Sequence, residues 1–374
     1  MRKRWRIGVF ILLFFMYNQC GALSQGESSA AAACVLEMST GRVLFEKNMH
    51  TRLPMASTTK VMTALLAIEN GSLEDSVTCS RNAFGVSGTS IYLAEGETLT
   101  LEEMLLGLML SSGNDAATAI AEHIGGSVDG FAQMMNARAE QIGAVNTNFV
   151  NPHGLPADGH HTTAYDLALI ASEAMGNDTF RRIVSTQQAS IPWEGRTYNR
   201  LLKNKNALLS SYEGATGVKT GFTSKAGRCL VFGALREGME VVGVVLSCGD
   251  WFDEAARLMD LCFDTYDMTH MLGPLESAGE IPVVGGRQAS VDMCLMQELS
   301  VPLCEGENAQ VVLEVPYSVS APVYPGMHLG TARLVLNGMV LAQSEIVASE
   351  RVDASGIGYN ISRVIGRWML IRRE

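Results

Sequence analysis

The run Val61-Met62-Thr63-Ala64-Leu65-Leu66-Ala67-Ile68 puts apolar residues on nearly every side of a helix. A helix with one apolar stripe lies on a core, whereas one apolar all round sits inside it. The chain must therefore build a large interior. Its 374 residues, 47% of them hydrophobic, suffice for one such domain and a smaller second one.

The surrounding pattern is helical in the middle and β-like at both ends. Ala31 to Met38 and Val43 to Glu46 read as strands joined by Ser39-Thr40-Gly41-Arg42. Thr100 with Glu103 is a capping box opening a Leu/Met-rich helix to Leu110, which Ser111-Ser112-Gly113-Asn114 interrupts. A second helix covers about Asp115 to Ile124 and stops at Gly125-Gly126; a third uses Phe131, Met134, Met135 and Ile142. Thr163 to Met175 reads as a fourth. The period then changes. Arg228 to Leu235 and Glu240 to Cys248 read as paired strands, and Asp250 caps a helix using Phe252, Ala256, Leu258, Met259 and Phe263. This order predicts an α+β domain with a mainly antiparallel sheet over residues 30–268. Over residues 273–350 the segments are short and β-like, with Asn337-Gly338 as a two-residue hairpin turn, which predicts a small all-β domain.

Both termini carry targeting patterns. Met1 to Arg6 is basic, Ile7 to Tyr17 is apolar, and Cys20-Gly21-Ala22 offers small residues near a cleavage point, so residues 1–23 read as a signal peptide for export. The apolar run is short for a membrane span; an uncleaved anchor and a lipid-modified Cys20 are the alternatives. Within residues 353–374, Ile357, Ile361, Val364, Ile365 and Trp368 share one helical face, and Arg363, Arg367, Arg372 and Arg373 supply positive charge. That pattern predicts an amphipathic helix lying on an anionic membrane; the alternative is a terminal helix docked on the β domain. A net charge of -11 without an internal basic block argues against a nucleic-acid partner. The eight cysteines form no C-x-x-C pair, which argues against zinc. Cys294 and Cys304 are candidates for pairing in an oxidising compartment.

Three short signals carry the chemistry. In Ser57-Thr58-Thr59-Lys60 the serine and lysine sit three apart and share a helical face. A serine hydroxyl needs a neighbouring base, and a lysine becomes one when burial or a second cation lowers its pKa. Ser112-Gly113-Asn114 lies between two helices, and Lys219-Thr220-Gly221 precedes a strand, with Lys219 available as the second cation or as a partner for a substrate carboxylate. Each motif alone is weak: Ser80-Arg81-Asn82 also fits S-x-N. Together, in this order, they form the set used by penicillin-binding proteins and class A β-lactamases.

With Pro54 to Lys60, Ser111 to Ala116, Asn151-Pro152-His153-Gly154-Leu155 and Gly217 to Thr223, the chain resembles the low-molecular-mass penicillin-binding D-alanyl-D-alanine carboxypeptidases. The resemblance covers roughly residues 30 to 265 and continues weakly through the β domain and tail. It implies a catalytic domain of the penicillin-binding/β-lactamase type, with Ser57 as nucleophile, Lys60 as its base and Ser112 as proton relay to the leaving D-alanine. It further implies that Asn114 and Lys219 order this network and that Thr220, in the segment with Gly221, binds the terminal carboxylate. Backbone N–H groups of Ser57 and Phe222 would form the oxyanion hole. Asn204 to Leu209 is similar to a family segment whose basic residue, here Lys205, faces the substrate carboxylate. The implied partners are a wall stem peptide ending in D-Ala-D-Ala and β-lactam antibiotics, with no metal or cofactor. A serine β-lactamase, a D,D-transpeptidase and a non-catalytic penicillin-binding sensor share these motifs. Glu173, four residues before Asn177, approaches the pattern of a β-lactamase deacylating glutamate, but Gly176 replaces the expected leucine and Glu173 falls in a helical pattern. A Ser-His-Asp triad through His153 and Asp166 is a further alternative; His153 reads as structural, and His160-His161 as solvated loop.

Overall fold

The computed structural model describes residues 23–24, 27–274 and 276–356. The leader over residues 1–22 and the tail over residues 357–374 lie outside them. The chain divides into two compact units, meeting between Tyr266 and Asp267.

The first unit is built on β1 (Ala32–Glu37), β2 (Val43–Lys47), β3 (Ala215–Thr223), β4 (Gly227–Arg236) and β5 (Met239–Leu246). These lie side by side in the order β2-β1-β5-β4-β3, every pair antiparallel; Leu23–Ser24 adds a short parallel edge beside β2. All six residues of β1 are buried. Side chains alternate between the faces of a strand, so both faces of the sheet are covered there. The cover is helical: α1 (Lys60–Asn70), α2 (Leu101–Leu110), α3 (Asn114–Gly125), α4 (Val128–Ile142), α5 (Ala164–Met175), α6 (Asp178–Ser185) and α7 (Trp251–Thr265).

Residues Lys60 to Ala67 of α1 are all buried, as the all-round apolar run requires. The Thr100–Glu103 capping box closes both ways at 3.2 and 2.8 Å and starts α2. Thr163 caps α5 through the Asp166 N–H, and Gly126 and Gly143 end α3 and α4 in the left-handed conformation that glycine adopts freely. Asp250 departs from expectation. It occupies the N-cap position of α7, but its side chain makes no capping hydrogen bond. Asp253 and Glu254 in the first turn answer the helix dipole instead.

The second unit carries β6 (Asp267–Leu272), β7 (Glu280–Val284), β8 (Ser290–Leu295), β9 (Leu299–Leu303), β10 (Gln310–Glu314), β11 (Val319–Ser320), β12 (His328–Leu336) and β13 (Met339–Ala348). Six strands run in the order β10-β12-β13-β8-β7-β11, and β6 pairs with β9. Asn337 and Gly338 join β12 to β13 with φ of 52° and 81°, the left-handed pair that a tight hairpin demands. The protein is thus α+β with an all-β second unit. Among the described residues no disulfide joins Cys294 to Cys304.

Candidate active site

Ser57 stands in a 3-10 turn, Ala56–Thr59, that leads directly into α1. The turn is tied down by its own threonines: Thr58 Oγ1 donates to the Met55 carbonyl at 2.6 Å and Thr59 Oγ1 to the Ala56 carbonyl at 2.8 Å. Ala56 takes φ +49°, unusual for a residue with a side chain. Two glycines make this possible. A Cβ on Gly154 would lie 1.8 Å from the Ala56 oxygen, and one on Gly221 would lie 2.9 Å from the backbone nitrogens of Ser57 and Thr58. Edge strand β3 therefore passes backbone to backbone against the turn.

Lys60 Nζ is the hub. It lies 3.0 Å from Ser57 Oγ, 2.8 Å from Asn114 Oδ1 and 2.7 Å from the His153 carbonyl. Asn114 Nδ2 donates to the Ser87 carbonyl at 2.7 Å, which fixes Oδ1 as the atom facing the lysine. Asn114 Oδ1 and the His153 carbonyl can only accept, so a neutral amine spends both its N–H groups on them. Its lone pair is then left for the one partner able to donate, the Ser57 hydroxyl. Burial, then the charges of Lys219 and Lys205, push the Lys60 pKa well down against the opposing pull of Asp115. Lys219, buried on β3 with Nζ donating to the Thr220 carbonyl at 3.0 Å, is pushed down to about 7 by burial and by Lys205. Lys205 is itself lowered by burial. Three lysines thus share one corner.

The remaining sequence candidates fall around this hub. Ser112 is buried at φ +66° in the link between α2 and α3, two residues before Asn114. Thr220 and Gly221 are buried on β3, while the Phe222 ring is 63% exposed. Among the described residues no hydrogen bond ties the side chain of Ser112 or Phe222 to Ser57 or Lys60. Ser80 of the competing S-x-N caps a short helix through the Ala83 N–H and donates to Glu122.

Sequence reasoning missed the His153 carbonyl, because a backbone oxygen leaves no residue signature. It also missed Asp115, which reads as an ordinary first-turn acid. Asp115 accepts from the N–H groups of Ile91 and Leu93 at 3.1 Å and from Ser90, and so clamps the segment that offers the Ser87 carbonyl. The triad alternative has no geometry: Asp166 accepts from Asn146 N–H and Thr147 Oγ1, while His153 Nδ1 accepts the Leu155 N–H. Burial and Lys60 hold His153 down to about 3, hence neutral. The solvated-loop expectation fails at His160, which is buried, because its ring nitrogens find partners inside the fold. Glu173 on α5 is half exposed and pairs with Arg138 at 2.6 Å.

The family model described as D-alanyl-D-alanine carboxypeptidase matches residues 20–249. The chain belongs to the D-alanyl-D-alanine carboxypeptidase family. A second model, the C-terminal domain of penicillin-binding protein 5, matches residues 266–354, so this carboxypeptidase-family chain carries the β domain too. It is 33% identical over 377 residues to D-alanyl-D-alanine carboxypeptidase DacF of Bacillus subtilis, with 97% of each chain covered. Among solved structures it resembles penicillin binding protein 5 from Haemophilus influenzae (TM-score 0.72, 25% identity, 88% of this chain and 99% of that one). It also resembles a mutant of the Streptomyces K15 DD-transpeptidase (TM-score 0.61, 34% identity, 64% and 100% covered).

Proposed function

We propose that the chain is an exported serine D,D-carboxypeptidase that removes the terminal D-alanine from wall stem peptides ending in D-Ala-D-Ala. The observation that carries the reading is the placement of the buried Lys60 Nζ, 3.0 Å from Ser57 Oγ and held by two pure acceptors, Asn114 Oδ1 and the His153 carbonyl, so that its neutral form can take the Ser57 proton. Ser57 Oγ attacks the carbonyl of the penultimate D-alanine as its proton passes to Lys60. The backbone N–H groups of Ser57 and Phe222 receive the oxyanion. Thr220, Lys219 and Lys205 hold the terminal carboxylate beside Gly221. The C–N bond breaks, the leaving amine takes a proton through Ser112, and D-alanine departs. Water then cleaves the Ser57 ester. The scheme uses no metal or cofactor. Penicillin enters the same steps, but its leaving nitrogen stays tethered to the acyl group, so the adduct persists.

In this reading residues 1–23 direct export and are removed, residues 30–268 catalyse, residues 273–350 form the β domain, and residues 353–374 hold the protein peripherally on the outer face of the membrane. Among the described residues no helix is long and apolar enough to cross a membrane. A second reading, a transpeptidase in which an amine replaces water, is favoured by the 34% identity to the Streptomyces K15 enzyme.

Mass spectrometry of the protein with penicillin, run beside an assay of D-alanine release from a pentapeptide mimic, tests the proposal. The expected result is a long-lived adduct on Ser57 together with D-alanine release. Penicillin consumed through a fleeting adduct without D-alanine release would make it a β-lactamase. Transfer to an added amine in preference to water would favour the second reading.

A further inference from the structure

Both ring nitrogens of His160 have settled partners. Nδ1 accepts the Val150 N–H at 3.0 Å, so it bears no proton. The proton of the neutral ring is therefore on Nε2, 2.9 Å from Thr59 Oγ1. Thr59 Oγ1 donates its own proton to the Ala56 carbonyl at 2.8 Å, which leaves its lone pairs to accept from the ring. The ring is buried and edge-on to Phe149, with centroids 6.0 Å apart. The relay has one direction: His160 Nε2–H to the Thr59 hydroxyl to the Ala56 carbonyl.

That carbonyl shares a peptide plane with the Ser57 N–H. In a trans peptide the two bonds point in opposite directions, so holding the oxygen aims the N–H. The plane needs holding. Ala56 sits at φ +49°, a conformation that costs a residue with a Cβ about 1–2 kcal/mol. Gly154 crowds the other side of the same oxygen.

We propose that His160 is a positioning residue for the oxyanion hole: through Thr59 it fixes the Ala56–Ser57 peptide so that the Ser57 N–H points at the oxygen on which charge develops. The inference rests on Ser57 being the nucleophile. Charge on that oxygen grows during attack, so a misaimed donor weakens the transition state more than the bound substrate.

The test uses the full-length protein, with steady-state D-alanine release, the penicillin acylation rate and thermal midpoints measured in parallel. His160→Leu and Thr59→Val are expected to lower kcat and acylation about tenfold or more with KM within about twofold. Thr59→Ser keeps the hydroxyl and recovers most of the loss. The double variant H160L/T59V falls no further than either single one, because the two act as a unit. An unchanged kcat in folded His160→Leu, a loss confined to KM, or losses that multiply in the double variant would overturn the proposal. If His160→Leu does not fold, the Thr59 pair decides: equal rates in Thr59→Val and Thr59→Ser overturn it. Ser57→Ala run alongside separates this failure from that of the parent reading, since a Ser57→Ala protein that still acylates removes the nucleophile assignment itself.

Discussion

Among the described residues, the unit from Asp267 onward buries one polar side chain, Ser344, in an otherwise apolar core, whereas the unit up to Tyr266 buries Lys60, Lys219, Asn114, Asp115 and the Glu97–Arg200 ion pair. Backbone strain divides the same way. Six described non-glycine residues of the first unit take positive φ, Ala56 and Ser112 among them, against Asn337 alone among the described residues of the second, where a hairpin turn asks for it. Desolvating an amine is unfavourable, and so is left-handed backbone at a residue with a Cβ. The buried amines of Lys60 and Lys219 and the positive φ of Ala56 and Ser112 lie at the site, where departures from the rules of stable packing are expected, whereas Glu237, like Asn337, takes positive φ in a hairpin turn. The second unit keeps those rules throughout.

The sharpest break of this comparison is at the hub. Ser57→Ala is expected to abolish covalent penicillin labelling, and Lys60→Ala to lower acylation by several orders of magnitude, while both proteins keep their circular dichroism. In the second unit Ile346→Ala, at a fully buried position, costs about 2–5 kcal/mol of stability and leaves acylation of the folded protein unchanged. Labelled Ser57→Ala protein would sink the assignment of the nucleophile.

Glycine substitutions sharpen the contrast next. Gly154→Ala drives a methyl group to 1.8 Å from the Ala56 carbonyl in a left-handed backbone. Expected are a loss of about 3 kcal/mol or more and of acylation with it. Gly338→Ala also sits at positive φ, but meets nothing within 4 Å, so only the backbone cost of about 1–2 kcal/mol remains. Equal losses of stability at the two positions, measured by urea titration, would mean that crowding at Ser57 contributes nothing.

In the second unit the β class and the hairpin turn were legible because their rules are local, while the strands Asp267–Leu272, Ser290–Leu295 and Leu299–Leu303 were not read from the sequence. Asn337-Gly338 carries its conformation in itself. In the first unit the reactive residues were legible as spaced motifs, and α1 as a buried helix, because side-chain chemistry and periodicity are written in the residues. Their supports were not. The His153 carbonyl, the Ser87 carbonyl and the His160 relay reach the site across 93, 27 and 101 positions, through backbone atoms or through a histidine whose sequence context reads as loop. The Asp250 cap shows the opposite failure: the right residue type at the right position, without the hydrogen bond.

Lys219→Met sets function against stability at one position. The folded protein lowers this pKa from its usual 10.5 to about 7. Between those two values the unfolded chain holds a proton that the folded one lacks, so wild-type stability rises with pH across that window. Methionine removes the penalty. The variant is expected to melt higher than wild type, by most at pH 7 and below and by nothing near pH 10.5, while acylation falls sharply. A variant that melts lower at every pH would mean that Lys219 holds the corner together rather than straining it.

The smallest expected effect is a shift in a pH profile. In the proposed mechanism the terminal carboxylate of the substrate is attracted by protonated Lys219, whose proton leaves the free enzyme near pH 7. kcat/KM should then decline as pH rises through about 7, since it reports groups of the free enzyme. Lys205 is one cause of the low value, because its charge disfavours a second cation nearby. Lys205→Gln removes that charge, so Lys219 keeps its proton to higher pH and the alkaline limb moves upward, even as kcat/KM falls from the loss of a cation facing the carboxylate. The same change relieves Lys60, which Lys205 also lowers, so the acid limb moves upward with it. Both limbs moving upward is the signature of one shared electrostatic field. An alkaline limb that stays in place, or moves down, would show that Lys205 does not act on Lys219.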